Sequence, residues 1–359
     1  MKIALCTLFN SLYLDKGLVL YNSLKECSKD FELYVLCMDD KCHEVLTKEN
    51  LPHIIPIKLE DFENEDLLRV KKERRLGEYF WTCSSWLISY VLTTYRLDYC
   101  TYVDADMYFY SDPAVLIEEM ESKKATVLVV GHRFHPLLAK EKANKVGKYC
   151  VEFNTFKNED RALRLLDKWK AQVLEHCSLD GDGVHWGDQK YLDDWENLDF
   201  VVETENMGAG VAPWNISQYK LDSSNDNKIQ LRTVSGRTDL IFYHFENIQY
   251  IDDHTINNNI ECYRGIDQKL IMQLYPNYLS KIAIVKKYLK DFYGIDFMLK
   301  SHPGVGDAKK HSMMASAVNM VHRLVNVMKG IMLLPFRLSV IVNCSLPSRM
   351  FKKYQIVNF

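Results

Sequence analysis

Two carboxylates one residue apart, Asp104 and Asp106, end an apolar run (Thr101 to Val103). They are followed by a second apolar run (Met107 to Tyr110) and a Ser111-Asp112-Pro113 stop. In a buried strand two naked carboxylates would each cost several kcal/mol, so they must face a cation or leave the sheet. Asp-x-Asp at a strand end puts both side chains on one side of the pleat. From there both, with Ala105 between them, can reach one hard divalent ion through oxygen ligands at about 2.1 Å. An ion held by so few protein ligands keeps open positions, which suits a diphosphate. A lone Asp-x-Asp is often only a solvated turn; apolar flanks on both sides favour the metal–diphosphate reading.

Other polar residues fall at places where they could serve such a site. Asp188 and Gln189 follow Gly187 and open a short helical pattern. An Asp there is commonly a plain cap, but a polar pair at a cleft mouth also reads sugar hydroxyls. His244 ends an apolar strand, Ile241-Phe-Tyr-His. Such a histidine is often a satisfied core residue; near Asp106 it would be a third metal ligand, nitrogen beside oxygens. Gly208 and Gly210 supply flexible backbone that could approach a phosphate, or simply a tight turn. Arg74, beside Arg75, offers a cation to balance a diphosphate, unless it is merely solvated. Cys83 reads as core, because nothing adjacent would lower its pKa. There is no Gly-x-x-x-x-Gly-Lys-Ser/Thr loop, which excludes that class of ATPase. Tyr108 stands where an Asp-x-Asp-x-Thr phosphatase would want Thr or Val.

The elements that must position these groups follow from short apolar runs alternating with helical periodicity. Strands are expected at Ile3–Leu8, Glu32–Leu36, His53–Ile57, Cys100–Val103 and Thr126–Val130. Helices are expected around Leu18–Leu24, Trp86–Leu97, Ala114–Glu121, Asp160–His176, Asp188–Trp195 and residues 266–293. This alternation predicts an α/β fold with a mostly parallel central sheet flanked by helices. Ligands of such sheets bind at the carboxyl ends of strands. Thr7 to Asn10, Asp39 with Asp40, and Asp104 with Asp106 all fall there.

The chain of 359 residues is 47% hydrophobic and 26% charged, enough for a substantial core. A net charge of −3 argues against a nucleic-acid partner. From Lys300 onward there are nine Lys/Arg against one acidic residue, Asp307, a net of +8, so the first 299 residues carry −11. The division expected is a catalytic domain over 1–299 and a basic helical tail over 300–359. Residues 309–342 combine a Met/Val/Leu stripe with Lys309, Lys310, Arg323, Lys329 and Arg337. The stripe suits an interfacial helix on an anionic membrane surface, or one docked on the protein itself or on another subunit. Ten scattered cysteines without C-x-x-C spacing, an N-terminal run too short for a signal peptide, and no 18-residue apolar stretch suggest a cytoplasmic protein with reduced thiols. Peripheral attachment to the inner membrane face is compatible with this.

The ordered set Asp104-Ala-Asp106, Phe153-Asn154-Thr155, Asp188-Gln189 and His244 resembles that of nucleotide-sugar glycosyltransferases of the GT-A fold. The likeness is to bacterial members of surface-polysaccharide type and, more loosely, to glycosyltransferase family eight. Phe80-Trp-Thr-Cys83 and Gly208-Ala-Gly-Val-Ala-Pro-Trp214 look like motifs of the bacterial subgroup. The likeness spans roughly residues 1–250. His244 lacks the Gly and Lys-Pro-Trp spacing of family eight, and Gly is absent after Thr155.

The resemblance implies a transferase moving a hexose or N-acetylhexosamine from a UDP-sugar to a lipid-linked or oligosaccharide acceptor. Thr7, Asn10 and Asp39 would hold the uridine. Asp104, Asp106 and His244 would hold Mn2+ or Mg2+, while Asn154, Asp188 and Gln189 would orient the sugar. Asp188 is the first candidate base if the reaction inverts the anomeric centre. The competing expectation is a non-catalytic sugar-nucleotide or carbohydrate-binding protein of a membrane assembly.

Overall fold

The computed structural model describes residues 2–225, 228–246, 248–252, 255–257, 260 and 266–297. The basic tail lies outside the described residues. In chain order the first half contains β1 (Ile3–Phe9), α1 (Leu14–Cys27), β2 (Phe31–Cys37), α2 (Asp40–Glu49), β3 (Ile54–Lys58), α3 (Leu59–Phe62), α4 (Glu65–Lys71) and α5 (Leu76–Thr94). There follow β4 (Tyr99–Val103), β5 (Met107–Phe109), α6 (Ala114–Ser122), β6 (Val127–Gly131), α7 (Ala139–Val146), β7 (Tyr149–Lys157) and α8 (Asp160–Glu175). The remainder comprises β8 (Val201–Glu203), β9 (Lys220–Asn225), β10 (Lys228–Thr233), β11 (Gly236–Asp239), β12 (Phe242–His244), β13 (Gln249–Asp252), β14 (Thr255–Asn257) and α9 (Gln268–Tyr293).

Seven strands form one twisted sheet in the order β3-β2-β1-β4-β7-β6-β8. All neighbours are parallel except β7, which runs antiparallel to both β4 and β6. The expected mixed α/β architecture with a mostly parallel sheet is therefore what forms. Strand alternation sends Ala4, Cys6 and Leu8 to one face, under α5 and α8 with Leu87, Val91 and Trp169. It sends Ile3, Leu5 and Phe9 to the other, under α1, α2 and α6 with Leu18, Val45 and Ile117. Each fully buried side chain of this size contributes about 1.5–3 kcal/mol. A third cluster packs Leu274, Tyr278 and Ile282 of α9 against Tyr108, Leu231 and Phe245.

The sheet order decides where chemistry can occur. The chain runs outward from β1 through β2 to β3 and then crosses back to β4 on the other side of β1, so the carboxyl ends of β1 and β4 open on the topological switch between them. One local expectation changes, and one strand was not foreseen. The segment after Gly187 makes a tight 3-10 turn over Lys190–Trp195 rather than an α-helix. The longest strand of the sheet, β7, carries no clean alternation in sequence because its residues from Tyr149 to Phe156 are buried on both faces. Eight described cysteines are free thiols, and burial pushes Cys83 up to about 12, in keeping with a core role.

Candidate functional site

β4 ends at Val103, and the chain turns through Asp104-Ala105-Asp106 before re-extending as β5. The Asp104 N–H donates to the Glu152 carbonyl at 3.2 Å, fastening this turn to β7. β5 pairs antiparallel with β12, His244 lying opposite Met107, and the Phe245 N–H donates to the Asp106 carbonyl at 2.9 Å. A two-stranded sheet thus brings His244 beside a residue 138 positions earlier. Its Nε2 lies 3.0 Å from Asp106 Oδ1 and 3.7 Å from Asp104 Oδ2. Its Nδ1 lies 2.7 Å from Oε2 of the fully buried Glu152. A carboxylate on one imidazole nitrogen fixes the ring so that the other faces the aspartates, the usual support of a metal-binding histidine. Two aspartates that each approach one buttressed imidazole nitrogen, at 3.0 and 3.7 Å, offer donors of the kind that fit a hard-to-borderline divalent ion.

Electrostatics agree with this fit. Burial and the neighbouring Asp106 and Glu152 charges push Asp104 up to about 6 against the pull of His244. Asp106, despite burial, is held below the ordinary carboxylate range by the His244 charge and hydrogen bond. Burial disfavours a charged His244, but Asp106 and Glu152 hold its pKa above the ordinary imidazole value. The site is a concentration of negative charge in which, among the described residues, His244 is the cationic side chain in direct ion-pair contact with both aspartates. A second cation lies close by. Lys16, only 4% exposed, places Nζ 3.5 Å from the centre of the Tyr13 ring, and the Tyr13 hydroxyl reaches Asp106 Oδ2 at 3.4 Å. Burial lowers the Lys16 pKa, with Asp15 and Asp106 acting in the opposite direction. Asp15 is itself engaged by the Tyr250 hydroxyl and by the Lys16 N–H.

The other sequence-derived residues divide by position. Tyr102, whose hydroxyl donates to Asp104 Oδ1 at 3.1 Å, lies across the ladder from Asn154. Asn154 is wholly buried, and neither its amide nitrogen nor its carbonyl oxygen has a partner. Asp188 is buried too; Ser84 Oγ donates to its Oδ2 at 2.7 Å, and Trp169 Nε1 to its carbonyl at 2.9 Å. Burial raises Asp188 to about 7, helped by the Asp104 charge and opposed by the Ser84 bond. At the end of β1, Thr7 Oγ1 is buried and unpartnered. Asn10 precedes a short 3-10 turn, and Asp39 caps α2, accepting from the Cys42 N–H at 2.8 Å and from Ser11 Oγ at 2.7 Å.

Three residues are already committed elsewhere. Gln189 Nε2 donates to the Val146 carbonyl at 2.8 Å. Arg74 donates to Thr82 and to the Leu174 carbonyl near the end of α8. The Gly208 N–H goes to Asn206 Oδ1 at 2.9 Å, and a Cβ there would sit 1.8 Å from the Asp239 carbonyl oxygen. Gly210 is different: its φ of +70° is one that L side chains avoid, and its Cβ would approach Val130 Cγ1 to 2.6 Å and Glu152 Oε1 to 3.4 Å. Its task is to let the loop close over Glu152. Sequence reading overlooked Glu152 and Lys16. The signal for Glu152 was a lone carboxylate inside the apolar stretch Tyr149–Phe156; Lys16 in the first turn of a helix gives none.

No protein-family profile matches the chain. Among solved structures, that of apo mouse xyloside xylosyltransferase 1 is similar over 69% of this chain and 98% of its own, with a TM-score of 0.43 and 11% identity. Two Bacillus subtilis proteins match over most of their length. Uncharacterized protein YfnD is 29% identical over 282 residues, covering 77% of this chain and 87% of YfnD. Uncharacterized protein YfnF is 31% identical over 289 residues, covering 79% of this chain and 93% of YfnF. At that identity and coverage, the chain belongs to the family of YfnF.

Proposed function

We propose that this protein is a metal-dependent glycosyltransferase that moves a hexose or N-acetylhexosamine from a UDP-sugar to a glycan or lipid-linked acceptor. The observation that carries the reading is the meeting of Asp104, Asp106 and His244 at the carboxyl end of the sheet, buttressed by Glu152 and with Lys16 beside them. The ordered sequence motifs shared with GT-A glycosyltransferases support the same reading.

In this proposal Asp104, Asp106 and His244 hold Mn2+ or Mg2+. The bound ion would supply Lewis-acid stabilisation of the diphosphate leaving group. Glu152, 2.7 Å from Nδ1, would hold the ring with its Nδ1 proton toward the carboxylate, so that Nε2 is the nitrogen left to face an ion. Lys16 contributes a second, desolvated positive charge toward the departing diphosphate, where an ammonium is worth more than in water. Thr7 and Asn10 at the end of β1, with Asp39 after β2, flank the edge where the uridine would lie. Asn154 has an amide with both ends unsatisfied, which a sugar hydroxyl would complete. Asp188, titrating near neutrality, would accept the acceptor's proton if the anomeric centre is inverted. With retention, the leaving phosphate takes that proton and Asp188 orients the sugar.

The basic segment 300–359 is proposed to hold the enzyme on an anionic membrane surface, at about 1 kcal/mol per basic residue near it. Among the described residues no helix is long and apolar enough to cross a membrane. The test is UDP or GDP release from UDP-Glc, UDP-Gal, UDP-GlcNAc and GDP-Man with Mn2+, with and without EDTA. Release from one UDP-sugar that EDTA abolishes supports the proposal. Donor binding without release on any acceptor would instead favour a binding protein.

A further inference from the structure

Metal-ligating side chains meet at a second place, outside the acidic turn. His176 follows directly on α8, and Asp182 and His185 lie on the loop between α8 and Asp188. One ligating atom from each lies within 4.8 Å of the other two. His185 Nδ1 is 2.8 Å, and His176 Nε2 3.9 Å, from the same oxygen, Asp182 Oδ2. The other oxygen of Asp182 accepts the backbone N–H groups of Val184 at 2.8 Å and His185 at 2.6 Å. Those two bonds lock the carboxylate and leave Oδ2 turned between the imidazoles. His176 Nε2 is buried and has no hydrogen-bond partner. The His176 side chain as a whole is 40% exposed, but this covered nitrogen lacks a hydrogen bond, a deficit that a bound cation would remove.

The spacing suits a small ion. Tetrahedral zinc with bonds of about 2.0–2.1 Å holds its ligand atoms roughly 3.3 Å apart, and the observed 2.8 and 3.9 Å lie on either side of that value. Two imidazoles and one carboxylate form a borderline donor set with one position left open, unlike the oxygen-rich pair at Asp104 and Asp106. We infer that His176, Asp182 and His185 bind a second divalent transition-metal ion of the zinc class, which clips the loop to the end of α8. Trp169 of α8 already holds the Asp188 carbonyl at the far end of that loop. An ion at His176 would fasten its near end, so both approaches to Asp188 would be tied to one helix. This site requires nothing of the glycosyltransferase reading.

The test counts ions on the full chain, tag removed and stripped with chelator, after equilibration with Zn2+ or Co2+. Wild type, Asp106→Asn/His244→Ala and His176→Ala/His185→Ala are compared, with circular dichroism and melting in EDTA as the folding control. The second double variant should hold one fewer ion per chain than wild type. The first should keep an ion whose Co2+ spectrum has tetrahedral intensity. The single variant His185→Gln, which keeps a polar side chain beside the His176 and Tyr191 rings and is checked for an unchanged melt in EDTA, should weaken Zn2+ binding by at least about tenfold. Zinc should also slow protease cleavage between residues 177 and 187 in wild type and leave His185→Gln unprotected. Equal ion counts in wild type and the His176→Ala/His185→Ala variant, or unchanged Zn2+ affinity in His185→Gln, would overturn the inference.

Discussion

Replacing Asp188 by Asn should make the protein more stable and the enzyme less active. The buried carboxyl titrates near 7, against about 3.9 in an unfolded chain. A carboxyl raised in the folded state contributes no penalty below the unfolded value. Its penalty grows as pH rises from about 4 to about 7 and is constant above. The gap of about 3 units corresponds to a penalty of roughly 4 kcal/mol at full ionisation. Asn keeps an oxygen to accept the Ser84 bond and never ionises. The stability gain of Asp188→Asn over wild type should therefore increase by about 2–3 kcal/mol between about pH 5 and about pH 7.5. Urea midpoints of both proteins in EDTA, across that range and with equal m-values, measure the difference. Donor turnover, assayed in parallel, should fall at every pH, the trade expected of a strained functional carboxylate. A stability difference that stays flat with pH refutes the buried-carboxylate assignment. Undiminished turnover refutes the role proposed for Asp188 in the reaction.

Lys16→Met keeps the volume of the buried stem and removes its charge. With a charged hydrogen bond worth about 1.5–3 kcal/mol, UDP should bind roughly 10–150-fold more weakly in calorimetry while the fold is retained. An unchanged affinity would mean that Lys16 only stacks on Tyr13. Gly210→Ala should cost about 1–3 kcal/mol in urea unfolding, because φ is +70° and the added Cβ would meet Val130 at 2.6 Å. A neutral Gly210→Ala would show that the loop over Glu152 gives way without cost.

Much of this was readable because the first half obeys simple periodicities. Runs such as Ile3–Leu8 and Cys100–Val103 are apolar, short and punctuated, and their ends placed Asp39, Asp104 and Asp106 where the structure has them. β7 escaped because it lies inside the sheet and carries Glu152 and Asn154, polar residues that break the pattern of a core strand. Lys16 escaped for another reason: a lysine in a helical first turn is ordinarily solvated, and only α1 packing beside the acidic turn buries it. Arg74 and Gln189 were chosen for their chemistry, and the ends of α8 and of α7 engage them there. The neighbourhood of His244 and Asp106 depends on the β5–β12 pairing, a long-range register that no local pattern carries.

The most direct measurement of the central claim is Mn2+ binding followed by loss of the free-ion electron paramagnetic resonance signal, with and without UDP. Wild type should bind Mn2+, and UDP should tighten it, because ion and diphosphate share one site. Asp106→Asn, correctly folded by circular dichroism, should lose both the binding and its enhancement by UDP. If Asp106→Asn binds Mn2+ with UDP as wild type does, the pair Asp104 and Asp106 is not the metal–diphosphate site.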